Sequence, residues 1–225
     1  MKTYFSVPAV ALLVSAAGIA STIVQTDRVG LTDVGSQFAV PVEFNPFNPA
    51  LGTLTGVTLD LGASFAGTVG VENLSGNPDM AEGVIAGSVT IANNGGSLTA
   101  EVFPSAISPL RDLSAFDGVL DYAGTSGFTD SVSGATATTS AISAMSPVLE
   151  SFSGSSEIFL TLTAKSFPIV EGMETEAAEE TANASATVQL TYDYTPVAPV
   201  PEPETVALLA IGIPGTLSIY RRRYR

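Results

Sequence analysis

The chain has no cysteine, no histidine and no tryptophan, and only eight of its 225 residues are lysine or arginine. Without Cys or His, a thiol nucleophile, a Cys/His zinc site and a Ser-His-Asp triad cannot be assembled from its side chains. Without disulfides, packing alone must hold the fold together, which is feasible for one domain of ordinary size. The few cations are also unevenly spread. Of 22 acidic residues, Glu202 and Glu204 lie near the C-terminus, which leaves 20 in the body against Arg28, Arg111 and Lys165, a net of −17. Such a surface repels polyanions and has no basic stripe with which to release counterions, so nucleic acid is excluded as a partner.

What the chain does have is an apolar segment at each end. From Thr205 to Tyr220 no residue is charged, so the run can enter hydrocarbon without carrying an ion with it. As a helix those 16 residues rise about 24 Å against a core of roughly 30 Å, and Gly212, Pro214 and Gly215 weaken them further. A short transmembrane segment, 205–220, is expected, suited to halting export rather than to permanent anchorage. Arg221, Arg222, Arg223 and Arg225, in a basic tail 221–225, stay on the cytoplasmic side and orient the body outward. At the N-terminus, Lys2, the uncharged stretch Val7 to Ile19 and small residues up to Ala20 read as a signal peptide, 1–20, cut between Ala20 and Ser21.

Taken in order, Pro201-Glu202-Pro203, the apolar run and the terminal arginine cluster resemble the PEP-CTERM sorting signal of Gram-negative bacteria. The resemblance implies recognition by an exosortase, a transpeptidase-like membrane enzyme, and processing near Pro201, Glu202 and Pro203. Glu204 departs from the pattern, which often has a small hydroxylated residue there. Partners expected on this basis are signal peptidase, the exosortase, the inner membrane transiently, and exopolysaccharide or other envelope proteins.

Between the ends, 21–196 reads as one all-β domain, an antiparallel β-sandwich, followed by a proline-rich spacer, 197–204. The clearest strand is the last, with Ala184, Ala186, Val188, Leu190, Tyr192 and Tyr194 on one face and polar residues on the other. Phe38, Val40, Val42 and Phe44 alternate likewise, with Pro41 marking an edge strand. Val57, Leu59 and Leu61, then Phe65, Val69 and Val71, suggest short strands separated at Gly62. Asn93-Asn94-Gly95-Gly96 joins a hairpin, because these residues tolerate positive φ. Phe103 to Gly118 reads as a long connection, 124–147 as a flexible region or weakly marked strand pair, and Glu157 to Phe167 as a strand. Glu171, Glu174, Glu176, Glu179 and Glu180 read as an acidic insert, a solvated run in preference to a short helix or a cation-attracting loop. The stretches Phe47 to Leu59 and Ala184 to Pro196 are similar to the choice-of-anchor E domain, whose members are exported proteins of unknown biochemical activity.

Three chemistries are open to the body. Asp112, Asp117 and Asp121 could offer hard oxygen ligands to calcium, although their spacing is not that of an EF-hand, and solvated loop carboxylates are the preferred reading. A paired-carboxylate glycoside hydrolase is compatible with the composition, but no motif fixes two acids across a cleft. A lectin-like polysaccharide binder would need aromatic platforms, for which Tyr122, Tyr192 and Tyr194 are available, the last two on the apolar face. Asn73-Leu74-Ser75 and Asn183-Ala184-Ser185 match a glycosylation pattern that is taken as chance. No catalysis and no cofactor are expected.

Overall fold

The structure, a computed structural model, describes residues 9–13, 20–31, 34 and 37–197. Pro201, Glu202, Pro203, the 205–220 segment and the terminal arginines lie outside them. The described chain is an all-β antiparallel sandwich. Its strands are β1 (Ala9–Leu13), β2 (Ser21–Leu31), β3 (Phe38–Phe44), β4 (Gly52–Asn73), β5 (Asp79–Asn93), β6 (Thr99–Val102), β7 (Ser105–Ile107), β8 (Arg111–Leu113), β9 (Gly127–Ser133), β10 (Ala137–Ser143), β11 (Ile158–Glu171) and β12 (Glu176–Pro196). One short helix, α1 (Ser146–Ser151), and a single 3-10 turn at Pro49–Leu51 complete it. No helix among the described residues is long and apolar enough to cross a membrane.

Both sheets follow one plan, a long strand whose outer edge is shared by shorter strands laid end to end. In the first sheet the order is β1-β2-β12-β4, and β10 and β9 divide the far edge of β4 between them. In the second the order is β3-β11-β5, and β6, β7 and β8 pair in turn along β5. The inward faces meet in a core that includes Val57, Leu59, Leu61, Phe65, Val69 and Val71 from β4, Ile85, Val89 and Ile91 from β5, and Val188, Leu190 and Tyr192 from β12.

Several expectations change in detail. The apolar positions before and after Gly62 belong to one 22-residue strand, because the odd-numbered parity runs unbroken from Val57 to Val71 and Gly62 falls on the outward face. Within it Gly67 comes so close to β12 that a Cβ would meet the Thr181 carbonyl. The region 103–118 is not a plain connection, since β7 and β8 are recruited to the open edge of β5. Region 124–147 does contain two strands, but β9 and β10 pair with β4 and not with each other. The acidic insert is not a helix: Glu171 closes β11, Glu174 sits in the short connection, and Glu176, Glu179 and Glu180 belong to β12, with all but Glu180 exposed as the solvated reading expects. The Asn93 hairpin and the edge position of β3 stand as expected, with Gly95 and Gly96 at φ 93° and 67°.

A 22-residue strand spans roughly 70 Å, so the sandwich has two well-separated poles. One pole receives both ends of the domain: Ser21 pairs with Tyr194, and Pro196 with Gly52. An aromatic plug closes it, with the Tyr192 ring 6.0 Å from Phe47 and 6.4 Å from Phe152. The Tyr192 hydroxyl donates to the Asn45 carbonyl, which also accepts from the Gln25 amide, and burial pushes that hydroxyl's pKa upward. The other pole carries the β4–β5 turn, the β11–β12 connection and the segment between β8 and β9.

Candidate interaction site at the loop pole

The loop pole is organised by two adjacent buried residues at the end of β4 whose side chains point to opposite faces. Asn73, fully buried, faces inward. Its amide donates to the carbonyls of Asn77 at 2.9 Å and Ser114 at 2.8 Å, and its side-chain oxygen accepts from the Ser75 amide at 2.8 Å. Its backbone amide donates to the Ser126 carbonyl. One side chain therefore ties the β4–β5 turn to the segment after β8. With its amide fully engaged, Asn73 is unavailable to a glycan in the folded chain.

Glu72 faces the other way, beneath the segment 115–126 that folds over the outside of β4. Its Oε2 accepts from the Tyr122 amide at 2.9 Å, while Oε1 is buried without a hydrogen-bond partner. Tyr122 takes φ 55°, unusual for a side chain of its size, and is held there over Gly70, where a Cβ would come within 3.1 Å of the ring. Gly127 pairs with Glu72 across the ladder and leaves the room that the carboxylate occupies. Sequence reading missed Glu72 and Asn73 as organisers. The turn composition of Asn73-Leu74-Ser75-Gly76-Asn77-Pro78 was the available signal for the second.

Beside this scaffold lies an open cleft of about 560 Å³ whose walls include Arg111, Asp112, Ser114, Thr125 and Phe128. Arg111 reaches from β8 across the open side of the sandwich and forks onto Asp130 of β9, with Nη2 2.7 Å from Oδ1 and Nε 3.1 Å from Oδ2. Its guanidinium lies 5.8 Å from the Phe128 ring centroid. Ser114 donates to the Thr125 hydroxyl at 2.9 Å. The cleft can accept a hydrogen-bonding ligand, and its one cation is already neutralised by Asp130.

The candidate calcium residues are not brought together. Asp112 lies on β8, while Asp117 and Asp121 each turn back on their own loop, accepting from the amides of Val119 and Ala123. Among the described residues, no group of three or more acidic side chains is placed to hold a metal ion. The aromatic candidates divide: Tyr192 and Tyr194 are core residues, and Tyr122 is half-buried over Gly70. At the opposite pole, Ala20 is exposed and Ser21 is buried at the start of β2.

No family model matches the chain, and no curated protein matches it in sequence. Solved structures with some likeness include several from infectious bursal disease virus. They include a D431N mutant of VP2 in T=1 particles, at 9% identity over 77% of this chain and 37% of that one, with a TM-score of 0.21. The VP2 subviral particle gives 9% identity over 77% and 38%, with a TM-score of 0.24. The Gx strain structure gives 10% identity over 86% and 43%, with a TM-score of 0.20. The chain spans about two fifths of the length of those chains, and a likeness this slight carries no argument about what it does.

Proposed function

We propose that this is an exported protein of the Gram-negative cell envelope or extracellular matrix, delivered through a PEP-CTERM and exosortase route, with a structural or interaction role and no catalysis. The observation that carries the reading is the tripartite C-terminus: Pro201-Glu202-Pro203, an uncharged run to Tyr220 and four arginines in the last five residues. The fold is compatible with it. Ser21, the residue after the expected cut, pairs with Tyr194, and the Val197 amide donates to the Leu51 carbonyl at the same pole, so a chain cut after Ala20 would begin and end its domain on one side, while β1, which pairs with β2, belongs to the segment that the cut removes. Ser21 is buried in that ladder, so signal peptidase would act before β2 docks. The loop pole then stands roughly 70 Å from the membrane side, free to meet matrix partners such as exopolysaccharide.

Replacing Pro201, Glu202 and Pro203 together by alanine tests the route. In a host with the exosortase, the variant should accumulate as an inner-membrane precursor with its domain in the periplasm, while the parent chain reaches the surface. Surface delivery equal to the parent would sink the sorting assignment.

A further inference from the structure

The outward face of the second sheet carries an apolar patch that is separate from the sandwich core. Along β11 the outward residues are Lys165, Phe167, Ile169 and Glu171. The ladders place Ala86 and Ser105 beside Phe167, and Val84 and Ile107 beside Ile169. Ser88 lies beside Lys165, and Glu82 beside Glu171. The face is thus a series of rungs: one headed by a cation, a Phe-Ala-Ser rung, an Ile-Val-Ile rung, and one with two acids. Ile107, Phe167 and Ile169 are 54%, 48% and 37% exposed. Val84 is buried, yet it belongs to this outer cluster and not to the core between the sheets.

Two features of the patch lack something that a second copy would supply. Glu82 and Glu171 sit directly opposite each other on neighbouring strands, a like-charge pairing that costs stability. Lys165, at the other end of the patch, has no ion-pair partner among the described residues, where Arg111–Asp130 is the only salt bridge.

We propose that this face is a two-fold dimer interface, its occupant a second copy of the same chain. Placing a two-fold axis in the plane of the face, across β11 at Pro168, runs β11 antiparallel to its copy. Lys165 of each chain then lies over Glu171 of the other, with Glu82 beside it, and the ion pairs form twice by symmetry. The large Ile-Val-Ile rung of one copy meets the smaller Phe-Ala-Ser rung of the other, so Val84 and Ile107 face Ala86 and Ser105. Lys165, one of only three cations in the body, is placed to relieve the repelling acids. The net negative charge of the two bodies opposes association at long range, but salt at physiological strength screens it beyond about 8 Å while leaving contacts at the patch intact. This inference does not rest on the sorting assignment and holds whether or not the tail is processed.

The full chain has no native cysteine, so a cysteine introduced by S105C, at the exposed rim of the patch, reports this arrangement while leaving Phe167 and Ile169 in place. A bismaleimide reaching about 10 Å, the spacing of stacked sheets, should cross-link that variant into a species of twice the chain mass. Adding K165E should abolish the species, and adding E171K to K165E should restore it, since the swap rebuilds both ion pairs and shows that the chain still folds. A cross-linker site at Thr58, on the outward face of the first sheet, should give no dimer. Absence of the dimer from the S105C chain, a dimer indifferent to K165E, or equal cross-linking at Thr58 would each overturn the proposal.

Discussion

Glu72 and Tyr122, 50 residues apart in sequence, are joined by a single 2.9 Å hydrogen bond from the tyrosine amide to the buried carboxylate. The bond pins the segment between β8 and β9 to the outside of β4, in a conformation that Tyr122 would not adopt unaided. Replacing Glu72 by alanine removes the acceptor and leaves the half-buried Tyr122 amide unpaired, at a cost of about 1 kcal/mol. Urea unfolding should show that loss, and hydrogen exchange should show faster exchange at Tyr122 and its loop neighbours. Unchanged exchange in that segment would mean that the carboxylate does not hold it.

Asn73 makes three side-chain hydrogen bonds to two different loops. Asn73→Ala should therefore cost more than Glu72→Ala, about 3 kcal/mol, because it removes three hydrogen bonds where the other removes one. Asn73→Asp should be almost as damaging, since a carboxylate cannot donate to the Asn77 and Ser114 carbonyls. Equal stability of the Asp variant and the parent chain would contradict this account of the pole.

Gly67 lies where a Cβ would run into the Thr181 carbonyl of the paired strand. Gly67→Ala must push β4 and β12 apart locally, and a loss of about 2 kcal/mol in chemical unfolding is expected. Gly95→Ala at the hairpin meets no atoms but carries a φ of 93°, so it should cost by backbone strain alone, with the inter-strand packing undisturbed. Retention of full stability in Gly67→Ala would show that the strands approach less closely than described.

Glu180 faces inward near Ser166, and burial raises its carboxyl above the ordinary 4.5, although a hydrogen bond from Ser166 pulls the other way. A raised folded-state pKa means that the folded chain holds more protons than the unfolded one in the window above 4.5. Stability from this group is therefore fully present below that value and lost as pH rises through the folded pKa. Glu180→Gln should raise the melting temperature at pH 7, and the advantage should shrink as pH falls toward 4.5. A variant no more stable than the parent at pH 7 would contradict the burial argument.

How much of this could be read in the sequence varied with the physical reason for each element. β12 was legible because Ala184 to Tyr194 alternate without a break, and β3 because Pro41 marked it as an edge. The Asn93 hairpin was legible because two glycines supply the positive φ that the turn needs. β7 and β8 were hidden because three residues are too few to show a period, and only the open edge of β5 recruits them. β9 and β10 were weakly marked because their solvent-facing side chains are mostly Ser or Thr and one of them, Ile142, is apolar yet exposed. At the β12 start, Glu176, Glu179 and Glu180 looked like an insert because a run of acids masks a strand whose neighbours are set by long-range pairing. Glu72 gave least away, since its partner lies 50 residues downstream, and Asn73 showed only its turn bonds to Ser75 and Asn77 and not the one to Ser114, 41 residues on; all these partners are backbone groups that any residue could provide.

Mass spectrometry of the surface-localised protein's C-terminus bears most directly on the central claim. The account predicts a mature chain that begins at Ser21 and ends near Pro201-Glu202-Pro203, with the 205–220 run and the terminal arginines gone. A surface form that still carried Arg225 would contradict it.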